Sequence, residues 1–274
     1  MTHSHMHHSQ KLRNAARAVL NRARELSMYA HAGGVRSRDD QLRFLILAGA
    51  HRGSHLLIDL LNRHPNLHCD GEILGRRSAC RLVNPDLFIR GHAAQRREDC
   101  YGCKISVGHL SQFQKLDPQM FLQEMHRRGW RLIHLIRTNV LRVCISSMLA
   151  HQRRQWHATN DTPVTPAKVR VDCDELHRQL VLRSETLRTE SECLSGLPSH
   201  QIVYEQDPMD TSRHQITLDR VFQFLDLPEA EVSASLVRTS PESIREMVDN
   251  YDQVVQSLNG TPYAEFFERS LNQD

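Results

Sequence analysis

Residues 43–72 read RFLILAGAHRGSHLLIDLLNRHPNLHCDGE, and this stretch decides the fold. It opens with a continuous apolar run, Phe44 to Leu47, whose length suits a buried strand and is too short for a helix. A turn with two glycines follows, from Ala48 to Gly53, and leucines at helical spacing then continue to His64-Pro65. Since the residue before proline avoids helical geometry, the helix ends there. The stretch predicts a strand, a glycine-containing loop, and a helix capped by Ser54.

The loop between this strand and this helix predicts an anion site. Free backbone N–H groups and the positive end of the helix dipole converge there, which suits a phosphate- or sulfate-like group. The ATP and GTP pattern G-x-x-x-x-G-K-[ST] is not met, because Gly53 comes one residue early and is followed by Ser54 and His55. Arg52, His51 and His55 are the candidate charged or donor side chains. The alternative is a loop that serves only as a tight connection.

The order of motifs in this stretch resembles the 5′-phosphosulfate loop of sulfotransferases, especially the bacterial carbohydrate type. The family pattern R-S-G-S-T-L-L, N-x-H-P and G-E falls on residues 51–57, 62–65 and 71–72. The family's usual Arg or Lys falls on His51, and its Ser/Thr falls on His55. Arg52, at the neighbouring position, or His51 itself is then expected to supply the charge in catalysis. The resemblance covers about residues 43–267 and implies donor contacts from His51, Arg52, Gly53, Ser54, His55 and Leu56.

A second strand predicts a second phosphate site. Residues 131–136, RLIHLI, read as a buried strand, and Arg137 follows at its carboxyl end, where open α/β sheets hold their ligands. A guanidinium can grip a phosphate through two parallel hydrogen bonds. The resemblance implies that Arg137 and Ser146 bind the 3′-phosphate of the donor, with Ser147 as the alternative if the register slips by one.

Three further residues are candidates for the reacting side of the site. The resemblance places a general base in the Gly-Glu pair, here Glu72, with His55 and His109 as competing bases. Lys104 lies in a strand-like stretch similar to the family's G-F-K, and the resemblance puts it near the acceptor or the sulfate. Trp156 lies in a long polar segment and could stack on a sugar ring. The alternatives are a surface lysine and a tryptophan that packs this segment onto the domain.

Composition excludes several other classes of protein. A net charge of +3 argues against bulk nucleic-acid binding, and no run of 18 apolar residues is present. Seven cysteines without regular spacing suit a reducing compartment, so we expect a cytoplasmic protein. Cys100 and Cys103 form the only C-x-x-C pair, and with no second pair at zinc spacing we expect no metal site.

The ends of the chain predict the domain organisation. Residues 1–10 are His-rich and are expected to be a disordered tail, and residues 11–42 are expected to form a basic amphipathic helix and a linker. This helix could lie on an anionic membrane surface, as a peripheral contact, or dock on the domain with a solvated basic face. Residues 43–274 are expected to form the sulfotransferase domain.

Together these patterns predict an α/β fold with a parallel sheet and helices on both faces, like the P-loop nucleotide kinases. The function implied is sulfuryl transfer from 3′-phosphoadenosine 5′-phosphosulfate (PAPS) to a hydroxyl, on a carbohydrate or glycolipid. Two alternatives remain open. One is a catalytically degenerate member that binds nucleotide or glycan, and the other is a small-molecule kinase that uses ATP.

Overall fold

The structure is a computed structural model that describes residues 2–34, 40–75, 81–155, 158–159, 168–206, 211–233, 236–237 and 243–267. The strands are β1 (Leu42–Leu47), β2 (Leu67–Glu72), β3 (Cys100–Ile105), β4 (Trp130–Ile136), β5 (Ala158–Thr159), β6 (Ser199–Val203) and β7 (Leu236–Val237). The helices are α1 (Thr2–Gly33), α2 (Ser54–Leu61), α3 (Pro85–Ala94), α4 (Pro118–Arg127), α5 (Val140–Arg153), α6 (Cys173–Cys193), α7 (His214–Phe224), α8 (Ile244–Met247) and α9 (Tyr251–Leu258). A π-helical turn, His109–Gln114, follows β3, and a 3-10 turn, Thr211–Arg213, precedes α7.

Five strands form one parallel sheet in the order β2-β3-β1-β4-β6. The predicted central strand β1 pairs in parallel with β3 on one side and with β4 on the other. Because all five strands run the same way, their carboxyl ends meet at one edge, which is where such sheets hold ligands. The short strands β5 and β7 pair with each other in a separate antiparallel ribbon.

Helices cover both faces of this sheet, as predicted. Successive side chains of a strand point to opposite faces, and β1 sends Leu45 and Leu47 to one and Phe44 and Ile46 to the other. The first pair packs with the apolar side chains of α3 and α4, and the second pair with those of α2 and α7. A third apolar cluster joins α5, α6, α8 and α9. The predicted fold class is therefore confirmed.

The edge strand β2 was not expected from the sequence, which suggested only a segment returning over the sheet. Its alternating buried and half-buried residues suit an edge position with one covered face. Asn62, from the N-x-H-P motif, fixes its start, because the Asn62 side chain donates to the Cys69 carbonyl at 3.0 Å and accepts from the Cys69 N–H at 2.7 Å. As a result Glu72 is the last residue of a strand in the sheet.

The N-terminal helix α1 is longer than predicted and begins at Thr2. The sequence between Thr2 and Gly33 contains no proline or glycine to interrupt a helix, so the stretch expected to be a disordered tail is helical. One face of α1 packs on α3 at Gly91, where a Cβ atom would lie 2.0 Å from the Met28 carbonyl oxygen. No helix among the described residues is long and apolar enough to cross a membrane.

Candidate active site

The predicted anion loop joins β1 to α2, and Gly53 determines how it enters the helix. Gly53 has a φ of +82°, and a Cβ atom there would lie 2.1 Å from the Tyr204 ring. The prediction that Ser54 caps α2 is wrong, because Gly53 is the capping residue and Ser54 is the buried first residue of the helix. No side chain among the described residues caps this helix end. The N–H groups of its first turn are therefore left for a ligand.

Arg52 does not direct its charge into the loop. Its guanidinium forms a buried ion pair with Glu190 of α6, and His134 Nε2 lies 3.4 Å from the same carboxylate. The guanidinium passes so close beneath Gly49 that a Cβ atom there would lie 3.0 Å away. This differs from the expectation that Arg52 offers its charge to the donor. Because Glu190 neutralises the guanidinium, Arg52 anchors the loop to α6.

His51 carries no charge near neutral pH. The pKa of its imidazole is lowered from 6.5 to about 4, mainly by burial and in smaller part by the nearby side chains of Arg183, His151, Lys104 and Arg137. Its ring centre lies 5.9 Å from that of His151. The expectation that His51 supplies a positive charge therefore fails at pH 7, although the neutral ring can still donate or accept a hydrogen bond.

Arg137 stands at the carboxyl end of β4, as predicted, and is only 8% exposed. Its guanidinium carbon lies 4.6 Å from the centre of the Tyr204 ring, and Nη1 donates to the His51 carbonyl at 3.3 Å. Tyr204 thus touches both Gly53 of the loop and Arg137. The aromatic ring fixes the distance between the two predicted phosphate sites.

Glu205, next to Tyr204, orders the start of α5. Its carboxylate accepts from the N–H groups of Thr138 and Asn139, each at 3.1 Å, and lies 3.7 Å from Arg137 Nε. Ser146 is half-buried in the second turn of α5, and Ser147, which is buried, follows it. Both candidate serines therefore lie on the helix that Glu205 holds beside Arg137.

A cavity of about 200 Å³ opens beside the loop. Residues of the loop, the end of β4 and the helices α5 and α6 line it: Gly49, Ala50, Arg52, Arg137, Val140, Val143, Gln179, Leu182, Arg183, Thr186 and Leu187. Sequence reasoning missed the contribution of α6. The available signal was the helical spacing of Gln179, Arg183 and Thr186 within an otherwise charged segment, which places them on one face.

Glu72 and Lys104 form the other half of the site. They are register partners on β2 and β3, and Lys104 Nζ lies 2.5 Å from Glu72 Oε1. Lys104 is buried, whereas the Glu72 side chain is 40% exposed. Burial raises the pKa of the Glu72 carboxyl, but the charges of Lys104, His109 and His55 outweigh this effect and lower it below 4.5. Glu72 is therefore an ionised carboxylate at neutral pH with one accessible side.

These interactions bring most predicted residues to one edge of the sheet. Lys104 is the register partner of Ile46 on β1, the strand that leads into the loop, so the Glu72–Lys104 pair and the loop lie at the same edge. His55 is exposed and Leu56 is half-buried in the first turn of α2. Trp156 lies outside the described residues. 

The His109 imidazole, expected as a competing base, lies behind Glu72. Its Nε2 atom is 3.8 Å from Glu72 Oε2, and its buried Nδ1 atom has no hydrogen-bond partner among the described residues. Burial is the main reason that the pKa of His109 is lowered, and the Lys104 charge adds to this against the opposing effect of Glu72. The ring therefore lies near the Glu72 carboxylate without a hydrogen bond to it.

Metal ligands are not gathered in the part of the chain that the structure describes, where no group of three or more His, Cys, Asp or Glu side chains could hold an ion. Cys100 and Cys103 belong to apolar clusters on opposite faces of the sheet. The two thiols of the C-x-x-C pair therefore cannot act together.

Comparison with known proteins finds relatives over most of the chain, although no protein-family model matches. Nodulation protein H of Rhizobium tropici is 26% identical over 238 residues, which cover 82% of this chain and 92% of that protein. Nodulation protein H of Rhizobium meliloti strain 1021 is 26% identical over 253 residues, which cover 82% of this chain and 94% of that protein.

Solved structures give weaker similarities. A sulfotransferase from Alicyclobacillus acidocaldarius has a TM-score of 0.46 at 14% identity, over 85% of this chain and 97% of its own. Mouse sulfotransferase SULT7A1 complexed with PAP has a TM-score of 0.41 at 15% identity, over 73% of this chain and 63% of its own.

The similarity to the nodulation proteins extends over 82% of this chain and over nearly all of their length. The fold brings the sequence motifs together at the carboxyl edge of the parallel sheet, with Glu72 beside the anion loop. The chain is thus similar to the nodulation H proteins over most of its length, and its parallel sheet carries the motif order that resembles sulfotransferases at its carboxyl edge.

Proposed function

We propose that this protein transfers a sulfuryl group from PAPS to a hydroxyl of a carbohydrate or glycolipid, with the residues named below in the stated roles. The observation that carries these roles is the position of the Glu72–Lys104 pair beside an anion loop whose helix end has no side-chain cap. One half of the site is built to hold a charged group, and the other half to move a proton.

The donor is held by the loop and by Arg137. The N–H groups at the start of α2, from Gly53 to Leu56, bind the 5′-phosphosulfate, since a helix N-terminus favours anions. His51 adds a neutral donor, and the exposed His55 borders the group. Arg137, with Ser146, binds the 3′-phosphate. Its guanidinium already points past the Tyr204 ring toward the loop, which fixes the spacing of the two sites.

The reaction proceeds by in-line attack. Glu72 accepts the proton of the acceptor hydroxyl, and the acceptor oxygen forms a bond to sulfur while the bond from sulfur to the 5′-phosphate oxygen breaks. The electron pair of that bond stays on the phosphate, and adenosine 3′,5′-bisphosphate leaves. Lys104 lies between Glu72 and the loop and stabilises the negative charge that develops on the leaving oxygen.

The acceptor class rests on the resemblance to bacterial carbohydrate sulfotransferases, with Trp156 as a surface for stacking a sugar ring. A carbohydrate also suits a half-exposed base, since Glu72 is open to solvent on one side. The catalytically degenerate alternative is suggested by His51 and His55, which occupy positions where the family has an Arg or Lys and a Ser or Thr.

The test has two stages. Calorimetry with adenosine 3′,5′-bisphosphate measures donor-site binding, and transfer of radiolabelled sulfate from PAPS to a panel of oligosaccharides and glycolipids measures turnover. Binding with transfer supports the proposal, and binding without transfer to any acceptor supports the degenerate alternative. Tight binding of ATP with magnesium, in preference to the bisphosphate, would instead favour a kinase.

A peripheral membrane contact through α1 is also part of the proposal. Val19, Leu20 and Leu26 are 59–69% exposed, on the side of the helix away from α3, and basic residues occur along the same segment. Sedimentation with anionic vesicles should fall on Leu20→Ser but not on Met120→Ser, which alters an equally exposed side chain on α4. Equal binding to neutral vesicles, or no binding to either, contradicts the contact.

A further inference from the structure

Arg183 is a cationic side chain at the donor loop that the sequence motifs do not include. It lies on α6, lines the cavity, and its Nη1 atom is 3.4 Å from the carbonyl oxygen of Ala50 in the loop. Its buried Nε atom has no hydrogen-bond partner among the described residues. The guanidinium therefore keeps donor capacity at the wall of the cavity.

The charges around this cavity favour an anion. Arg137 also lines the cavity, and Arg183 is the first of the charged groups that lower the pKa of His51. Within the described ranges, no carboxylate forms an ion pair with Arg183, whereas Arg52 is neutralised by Glu190 and Arg137 lies 3.7 Å from Glu205. Arg183 is thus the least neutralised of the three arginines that line the cavity.

Helix α6 both removes one charge from the loop and adds another. Arg183 and Glu190 are two helical turns apart and so lie on the same face of α6. Glu190 neutralises Arg52 at the cavity wall, and Arg183 lines the same cavity from the first part of that helix face. The loop position that carries an Arg or Lys in the family is occupied here by the neutral His51.

We propose that Arg183 is the cationic ligand of the 5′-phosphosulfate end of the donor and replaces the missing arginine of the loop. This inference rests on the proposed function, because it needs a nucleotide donor in the cavity. Both arginines contact loop carbonyls, Arg183 at Ala50 and Arg137 at His51. We assign Arg183 to the 5′ end because the proposed function already assigns Arg137 to the 3′-phosphate.

The first test compares nucleotide affinities of Arg183→Gln and wild type by calorimetry. Loss of one charge-assisted contact should weaken both adenosine 5′-phosphate and adenosine 3′,5′-bisphosphate by the same factor, about ten- to a hundredfold. Arg178→Gln and Arg188→Gln are the matched controls, because these arginines are exposed on the same helix and should leave both affinities unchanged. Arg183→Lys, which keeps the charge, should recover part of the loss.

The second test moves the charge back to the loop. His51→Arg combined with Arg183→Gln should restore affinity for adenosine 5′-phosphate, while His51→Arg alone should add little, because Arg183 already serves that group. His51 has a φ of +61°, so an arginine there is strained. That strain is the same in His51→Arg alone and in the double variant, and it cancels when their affinities are compared. Restoration cannot arise if Arg183→Gln acts only by loosening the fold.

Each outcome decides between the claims. If wild type binds the bisphosphate and Arg183→Gln binds both nucleotides as tightly as wild type does, Arg183 is not a ligand. The proposed function is then unaffected. A loss confined to the bisphosphate places Arg183 at the 3′-phosphate and overturns the assignment to the 5′ end. If wild type binds neither nucleotide, both claims fail. If Arg183→Gln does not fold, Arg183→Lys takes its place. Unchanged affinities of Arg183→Lys for both nucleotides then reject the inference, whereas affinities weakened by the same factor support it.

Discussion

The two ends of the carboxyl edge of the sheet differ in how their charges are paired. At the β2–β3 end, the carboxylate of Glu72 and the ammonium of Lys104 are in direct contact, with His109 behind them. At the β4–α6 end, three arginines line one cavity, and only Arg52 is fully matched by a buried carboxylate. The opposite charges of Glu72 and Lys104 balance at the first end, whereas the second end holds an excess of positive charge.

This difference separates binding from chemistry. A cavity with excess positive charge attracts phosphate and sulfate whatever their reactivity, whereas an ionised carboxylate with one side open to solvent can accept a proton from a hydroxyl. Substitutions at the β4–α6 end should therefore change donor affinity, and substitutions at the β2–β3 end should change turnover at unchanged affinity. Four predictions test the charge pairing at the two ends and this separation, from the largest expected effect to the smallest.

Glu72→Gln should produce the largest effect. The amide keeps the shape of the side chain but cannot take the acceptor's proton, so transfer should fall about 100- to 10,000-fold while bisphosphate affinity persists. Steady-state transfer rates and calorimetry on the same samples measure the two quantities, with the exposed Glu185→Gln as a control. A transfer rate within about threefold of wild type would put the base elsewhere, and His55 and His109 would be next.

Glu190→Gln should cause the largest loss of stability. It leaves the buried Arg52 guanidinium without its counter-charge, and breaking such a pair costs about 3–5 kcal/mol. Urea unfolding measures the free energy, with Glu192→Gln on the exposed side of α6 as the matched control. The double variant Arg52→Met with Glu190→Leu should lose less than Glu190→Gln, because no charge is left unpaired. A loss below about 1 kcal/mol for Glu190→Gln would show that the pair is solvated.

The pairing of Arg52 with Glu190 also shows where sequence reasoning stopped. The strand β1, the loop, α2, β4 and Arg137 could be predicted because each depends on neighbours in sequence: an apolar run, a glycine turn, or a residue at a strand end. Arg52 and Glu190 are 138 residues apart, and nothing local indicates that the guanidinium turns inward. Because the sequence does not show where α6 lies, it shows no counter-charge for Arg52, and the charge of Arg52 was assigned to the ligand.

The edge strand β2 was missed for a related reason. LHCDGE contains a glycine and three polar residues, so its local propensity for strand is weak. It is held by pairing with β3 and by the Asn62 side chain, which are contacts that only the folded chain provides. Glu72 was placed near the anion site by resemblance to the family. The cross-strand partner Lys104 was proposed from a separate motif, and only the register of β2 and β3 brings the two together.

Arg137→Ala should have a smaller effect than either carboxylate substitution, and it should be confined to the nucleotide with two phosphates. Loss of a charge-assisted contact of about 1.5–3 kcal/mol predicts a bisphosphate affinity about tenfold lower or more, with adenosine 5′-phosphate almost unchanged. Arg137→Lys tests whether the stack on Tyr204 and the bond to the His51 carbonyl also matter, and exposed Arg127→Ala is the control. Equal affinities of wild type for the two nucleotides would remove the 3′-phosphate from this site.

The smallest expected effect is a pH-dependent stability carried by His51. Its pKa in the folded protein, about 4, lies below the ordinary value of 6.5, because burial and then the charges of Arg183, His151, Lys104 and Arg137 oppose protonation. As pH falls from about 6.5 to 4, the unfolded chain takes up a proton that the folded chain refuses, so acid favours unfolding in that window. His51→Asn removes this penalty and tolerates the φ of +61°, since asparagine adopts left-handed geometry readily. Urea unfolding should therefore show His51→Asn gaining stability relative to wild type between pH 6.5 and 4 and no further pH-dependent difference above about 6.5.

The control is His126→Asn, which replaces a histidine outside this cluster and must not reproduce the gain. A difference between His51→Asn and wild type that is constant from pH 4 to 8 would mean that His51 is solvated enough to be protonated in the folded protein. The cationic end of the site would then extend into the loop itself, and the contrast with the Glu72–Lys104 end would rest on Arg137 and Arg183 together with a charged His51.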